Sequence, residues 1–171
     1  MPFNPTGSVV STDLDNMLRG LYRDNSDHAV TGTVVETPLA GLNISPNTIG
    51  PTGGLFVLAV GTCAGATSTK SIRLYFGGVL LASVPVPVGS QCWFIKVWIY
   101  NTATNAQRIY IETGSIPALT GTQAAPVLSY AYAIASIDTS QNQVLQTRTV
   151  NASALDTATN TMFDVYVAQI N

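Results

Sequence analysis

Charge is what this chain has least of. Lys and Arg number seven and Asp and Glu nine in 171 residues, or 9%, against about 25% in an average globular protein. The net charge is −2 and no basic run exceeds two residues, so the clustered cations of a nucleic-acid footprint are missing and no nucleic-acid partner is expected. Histidine is almost absent. His28 stands beside Asp24 and Asp27 in the polar connector DNSDHAV, without the second histidine that would complete a metal set. The two cysteines, Cys63 and Cys92, are too few for a disulfide scaffold and lack CxxC spacing; both sit in apolar runs and read as buried free thiols. Apolar runs such as Leu55–Val60 are far short of the roughly 20 residues of a membrane helix, and no membrane partner is expected. The opening MPFNPTGS has neither a basic nor an apolar signal region. The expectation is a protein made soluble in a cytoplasm, leaving it only within an assembly.

The instruments of catalysis are equally scarce. After Ala29 the acids are Glu36, Glu112, Asp138, Asp156 and Asp164, mostly at turns or strand ends, which does not suggest the paired carboxylates of a glycosidase cleft. No G-x-S-x-G elbow presents a serine nucleophile. The turns at Gly50–Gly54 and Gly61–Gly65 are not followed by Lys-Ser/Thr and a helix, so neither is a phosphate loop. Asp24–Asp27 lacks the spacing and terminal Glu of a calcium loop. No catalytic residue, metal ligand or cofactor is expected, and the chain is read as a non-enzyme.

What remains is 46% hydrophobic residues with Thr, Ser, Asn, Gln and Gly. That is too apolar for disorder. A folded surface this poor in charge tends to associate, so much of it is expected to be covered by copies of itself or by a larger assembly.

One amphipathic helix is expected over 11–25. Ser11 or Thr12 can cap it, Asp13 and Asp15 suit its first turn, and Leu14, Met17, Leu18 and Leu21 make one apolar stripe. A helix of about three turns is marginal alone, so its stripe must pack on its own sandwich or dock a neighbour. Residues 1–28 are therefore set apart as an extended arm plus helix, and 29–171 as one β domain.

The β pattern is densest in Ser71–Thr113. Gly77-Gly78 signals a two-residue hairpin between Ser71–Phe76 and Val79–Val84. Gln91–Tyr100 alternates Trp93, Ile95, Val97 and Ile99 with Phe94, Lys96, Trp98 and Tyr100, and Arg108–Glu112 answers it. Further strands are expected at Thr31–Val35, Leu39–Ile44, Leu55–Cys63, Val127–Ile137, Gln143–Val150 and Met162–Ile170, with a turn over Ala154–Thr161. Eight to ten short strands without βαβ alternation predict an all-β, jelly-roll-like antiparallel sandwich. Tyr75, Trp98, Tyr100 and Tyr110 could line a sugar-binding face, or be covered between the sheets or at a subunit interface; the scarcity of charge favours cover, with Trp98 and Tyr100 on a second buried face. Tyr130 and Tyr132 share one face of their strand and are candidates for a subunit interface.

The blocks STDLDNMLRGLYRDNSDHAVTGT, ETPLAGLNISPNTIGPTGG, TKSIRLYFGGVLLA and WIYNTATNAQRI resemble virion proteins of tailed bacteriophages: small head-decoration or head-fibre proteins and tail-fibre modules. The resemblance covers nearly the whole chain as a block pattern, without invariant functional residues. It implies a non-enzymatic, usually trimeric β-sandwich attached to the virion, with the N-terminal part as anchor or oligomerisation segment. The chain has none of the shaft repeats of long fibres, and its length and opening Met fit a decoration or short-fibre protein better. The expected partners are copies of itself in a homotrimer and a major capsid protein or other virion protein. Attachment would run through Phe3, Leu14, Met17, Leu18, Leu21 and Tyr22, in a virion assembled in the host cytoplasm. The alternative is a tail-associated receptor-binding module recognising carbohydrate.

Overall fold

The computed structural model describes residues 19–65, 69–88, 90–117 and 126–168. In chain order the strands are β1 (Arg19–Asp24), β2 (His28–Thr31), β3 (Thr37–Ile44), β4 (Gly54–Ala64), β5 (Lys70–Phe76) and β6 (Val79–Val86). They continue with β7 (Ser90–Ala103), β8 (Ala106–Pro117), β9 (Val127–Ala135), β10 (Gln143–Val150) and β11 (Thr157–Ala168). No helix occurs among the described residues. The large sheet runs β1-β11-β4-β7-β8-β9, with β2 also pairing β11; the small sheet runs β3-β10-β5-β6. Every pairing is antiparallel.

The alternation of β7 decides which way this sheet faces. Trp93, Ile95, Val97 and Ile99 point inward and are almost wholly buried, joined by Leu55, Val57 and Ala59 of β4 and Phe163, Val165 and Val167 of β11. The small sheet answers with Ile72, Leu74 and Phe76 of β5, Val84 and Val86 of β6, and Leu145 of β10. Each such side chain contributes about 1.5–3 kcal/mol by leaving water, so one core holds the sheets face to face. Trp93 is its largest member and donates its indole N–H to the Thr62 carbonyl at 3.3 Å. The ring lies so close that a Cβ on Gly61 would overlap it and the Thr159 carbonyl; glycine is what admits the tryptophan there.

The hairpin expected at Gly77-Gly78 joins β5 and β6, with φ of 55° and 78°. Two positive φ values in a two-residue loop match the right-handed twist of the flanking strands and favour glycine.

The helix expected over 11–25 is not what residues 19–24 form. They are β1, paired with Asp164–Val167 and Phe163 of β11, with Tyr22 and Asp24 half-buried and Leu21 and Arg23 exposed. A short helix weakened by Gly20 gains little alone, whereas the open side of β11 satisfies the same backbone groups by pairing. The rest of the expected helix, 11–18, lies outside the described residues. The boundary expected at residue 28 falls at the start of β2. The strand expected at Thr31–Val35 is displaced to β2. The expected turn over Ala154–Thr161 ends early, because β11 begins at Thr157 and buries Ala158 and Asn160.

Candidate interaction surface

The outward residues of the large sheet form an aromatic face. Cross-strand register aligns Tyr166 of β11, Phe56 of β4, Trp98 of β7, Tyr110 of β8 and Tyr132 of β9 in one row. Four inter-strand steps of about 4.8 Å make that row roughly 19 Å long. Ring centroids lie 5.9 Å apart for Phe56–Tyr166, 5.0 Å for Phe56–Trp98 and 5.2 Å for Tyr110–Tyr132. Tyr100 meets Tyr110 edge-on at 6.2 Å. These separations suit offset and edge-to-face packing of rings.

The adjoining rows carry Leu58, Lys96, Glu112 and Tyr130, then Met162, Val60, Phe94, Gly114 and Leu128. The charge in their midst is tied down. Lys96 Nζ reaches Glu112 Oε2 at 3.4 Å and sits 5.5 Å from the Phe94 ring centre. At the β1 end, Arg23 pairs with Asp164 at 3.1 Å and donates to the Tyr166 hydroxyl at 2.9 Å. At the β9 end the face is bare: Tyr130 is 70% exposed and Ile134 73%.

Two expectations change here. Trp98, Tyr100 and Tyr110 are not between the sheets; they lie on the outer face, where neighbouring rings half-cover Trp98 and Tyr100 and Tyr110 stays exposed. Tyr75 is separate from them, on the outer face of the small sheet beside Arg148, whose guanidinium lies 5.4 Å from its ring centre. The sequence could not separate outer faces, because alternation assigns a side chain to a face without saying what covers it. Tyr130 and Tyr132 share the outer face of β9, with Ala131, Ala133 and Ala135 on the other.

Of the candidate attachment residues, Leu21 and Tyr22 are described. Leu21 is exposed at a bulge in β1, while Tyr22 packs on Phe163 with ring centres 6.2 Å apart. Phe3, Leu14, Met17 and Leu18 lie outside the described residues. A shallow depression of about 390 Å³ at the bulge is lined by Gly20, Leu21, Tyr22, Arg23 and Tyr166 and offers no set of convergent acids or bases.

Titratable groups elsewhere serve the fold. His28 Nε2 lies 2.7 Å from Asp24 Oδ2, which also accepts from the Tyr22 hydroxyl, and Asp24 Oδ1 accepts from the Ser26 N–H at 2.8 Å. The Ser26 backbone bond, then His28, draw the Asp24 carboxyl from 3.8 down to about 2. Lys70 and Asp156 form a buried ion pair at 3.4 Å, with Lys70 donating to the Gly65 carbonyl and Asp156 accepting from the Ser153 N–H. Beside them, burial pushes the Cys63 thiol up to about 12, so it is inert. Cys92 corrects the expectation of two buried thiols: it is free but exposed, pairing across from Thr62 on the opposite face to Cys63. Among the described residues, no three His, Cys, Asp or Glu side chains are grouped to hold a metal ion.

A buried amide network went unread in the sequence. Gln107 exchanges two hydrogen bonds with the Ile137 backbone, at 2.7 and 3.0 Å, and donates to Asn101 Oδ1; Asn101 donates to the Gly50 carbonyl and Thr139. It ties the loop after β9 to the β7–β8 turn.

No protein-family model matches the chain, and no curated protein matches it. Among solved structures it is similar to a chain of infectious bursal disease virus, Gx strain, at 12% identity and a TM-score of 0.29. The alignment covers 91% of this chain and 43% of that one, so this chain spans less than half the viral chain's length. A likeness that loose carries no argument about function.

Proposed function

We propose that the protein is a non-enzymatic structural component of a virion, a capsid decoration or head-fibre protein that binds the outer capsid surface and reinforces it. The observation that carries this reading is the outer face of the large sheet. It is aromatic over five strands, its described residues include no acid–base or nucleophile set, and its described charges are mostly paired within it. A broad aromatic surface suits protein contact, where Tyr and Trp are enriched.

The fold is read as a jelly roll. Supporting this are the strand orders β1-β11-β4-β7 and β3-β10-β5-β6, two four-stranded runs whose members alternate along the chain, the β5–β6 hairpin apart, as a double-sheet roll requires, with β8 and β9 extending the first. The resemblance of the sequence blocks to tailed-phage head and fibre proteins supplies the virion, and a homotrimer is the assembly it implies. Many weak contacts repeated by symmetry would clamp neighbouring capsomers.

The test is binding of the protein to capsids that lack it, comparing the intact chain, a chain without residues 1–18, which keeps β1, and Trp98→Ala/Tyr110→Ala. Loss on truncation places attachment in the N-terminal segment; loss only in the double variant places it on the sheet. Retention by both removes the sheet face and the N-terminal segment as attachment sites, and failure of the intact chain to bind overturns the capsid-binding reading. A tail-associated carbohydrate-binding module is the second reading, favoured by the exposed Tyr110 beside the half-covered Trp98, since aromatic ring faces stack on sugars. Glycan-array binding that disappears in the double variant would replace the first reading with this one.

A further inference from the structure

Sheet edges separate one strand from all the others. A strand with an open side presents unpaired N–H and C=O groups, a template for another strand unless shortness, charge, proline or a bulge blunts it. Among the described residues, four strands with an open side carry such a device. β1 is six residues long, bulged at Leu21, with Arg19 and Arg23; β2 has four residues. β3 contains Pro38 and a register shift beside it, and β6 contains Pro85 and a shift at Leu81.

β9 carries none of them. It is nine residues long, VLSYAYAIA, without proline or charge. Its register with β8 runs without a shift from Gln107↔Ala135 to Ser115↔Val127. From Val127 to Tyr132 every residue is exposed, on both faces of the strand, so this part of β9 overhangs the small sheet. Tyr132 ends the aromatic row, so the bare edge and the apolar face are continuous.

We infer that β9 pairs antiparallel with β9 of a second copy of this chain, about a two-fold axis at Ala131. The strand's own pattern names the occupant. Read in both directions from Ala131, it sets Tyr130 against Tyr132 of the second copy, Leu128 against Ile134, Ser129 against Ala133 and Val127 against Ala135. On one face every large side chain meets a large apolar or aromatic one; on the other, Val127, Ser129 and Ala131 meet only alanines, and no like charges are opposed. Cross-strand aromatic pairs of this kind are the stabilising unit of a sheet. Isologous contact about a two-fold is the usual geometry of a homodimer, and it closes, so it removes the edge without inviting fibres. The inference does not depend on the virion reading, and it replaces the homotrimer that the sequence resemblance implies with a two-fold dimer.

The test uses the full chain and measures mass in solution by light scattering or sedimentation. The wild type is expected at twice the 18.0 kDa chain mass. Ala131→Lys and Ala131→Glu each place like charges opposite one another at the axis and are expected to run as monomers, while Leu155→Lys, on a loop residue 85% exposed, stays dimeric. The decisive arm mixes the two Ala131 variants. Because residue 131 faces residue 131 only in this register, the mixture is expected to recover the dimer mass, and that recovery also shows both variants folded. Ile134→Lys, opposing Leu128, is a second disruptor expected to give monomers. A monomeric wild type, a dimer that persists in Ala131→Lys, a trimer, or no recovery on mixing would each overturn the pairing.

Discussion

The two outer faces of this sandwich are built to the same alternation and yet differ in kind. On the small sheet the outward positions mix Ser71, Arg73, Tyr75, Gln146 and Arg148 with the aliphatic Leu80, Val144 and Val150. There Arg73 pairs with Glu36 at 3.2 Å, the Ser71 and Ser83 hydroxyls meet at 3.0 Å, and the one tyrosine lies under an arginine. On the large sheet the outward positions hold Phe56, Phe94, Trp98, Tyr100, Tyr110, Tyr130, Tyr132 and Tyr166. A polar outer face is what an antiparallel sheet shows to water. An aromatic one gains nothing from water and gains when covered. The difference teaches that aromatic surface is not spread evenly here; it is concentrated on one side, and the association it implies has a direction.

The largest effect is expected where the faces share a foundation. Trp93→Ala removes the biggest core side chain and should cost about 3–5 kcal/mol, with both faces lost together in one denaturation transition. If the faces unfolded in separate steps, they would not share a core.

A smaller change should separate the faces. Trp98→Ala loses contact with Phe56, and Tyr75→Ala loses its contact with Arg148. Both should cost little in stability, on the order of 1 kcal/mol for ring packing beyond burial. Only Trp98→Ala should weaken association with the virion or with other copies, read as a shift in the binding midpoint. Equal weakening by the two would erase the comparison.

Much of this was open to reading in the sequence, and the failures share a cause. β4, β7 and the β5–β6 hairpin were recognisable because the signals are local: unbroken alternation in one case, a Gly-Gly turn in the other. β1 was misread because Leu14, Met17, Leu18 and Leu21 satisfy helical spacing, while the open side of β11 that recruits residues 19–24 is invisible from nearby sequence. β11 began earlier than expected because Thr157–Thr161 has no apolar pattern; its inward residues are Ala158 and a buried Asn160. Nothing beside Lys70 in the sequence marks it as buried, since its partner Asp156 comes from the distant loop before β11. Of the candidate surface, Tyr130 and Tyr132 could be found by alternation. The row joining them to Phe56, Trp98 and Tyr166 depends on register across β11, β4, β7, β8 and β9, and register is a tertiary fact.

The smallest expected effect is one of pH, at the β1 end, where polar groups close the aromatic face. Asp24 is held at about 2, below its ordinary 3.8, so its folded form favours the carboxylate. The stability it contributes is complete above the ordinary value and is lost as pH falls from about 3.8 toward about 2. Amide exchange at Ser26 and His28 should quicken across that window in the wild type and show no such step in Asp24→Asn. The small sheet should not respond in step with it.

The central claim is that assembly covers the outer face of the large sheet and leaves that of the small sheet open. Oxidative footprinting of the free and assembled protein tests it directly, because both faces carry reactive rings. Trp98, Tyr110 and Tyr132 should become protected on assembly while Tyr75 keeps its free-state reactivity. Protection of Tyr75 with Trp98 and Tyr110 unchanged would contradict the account.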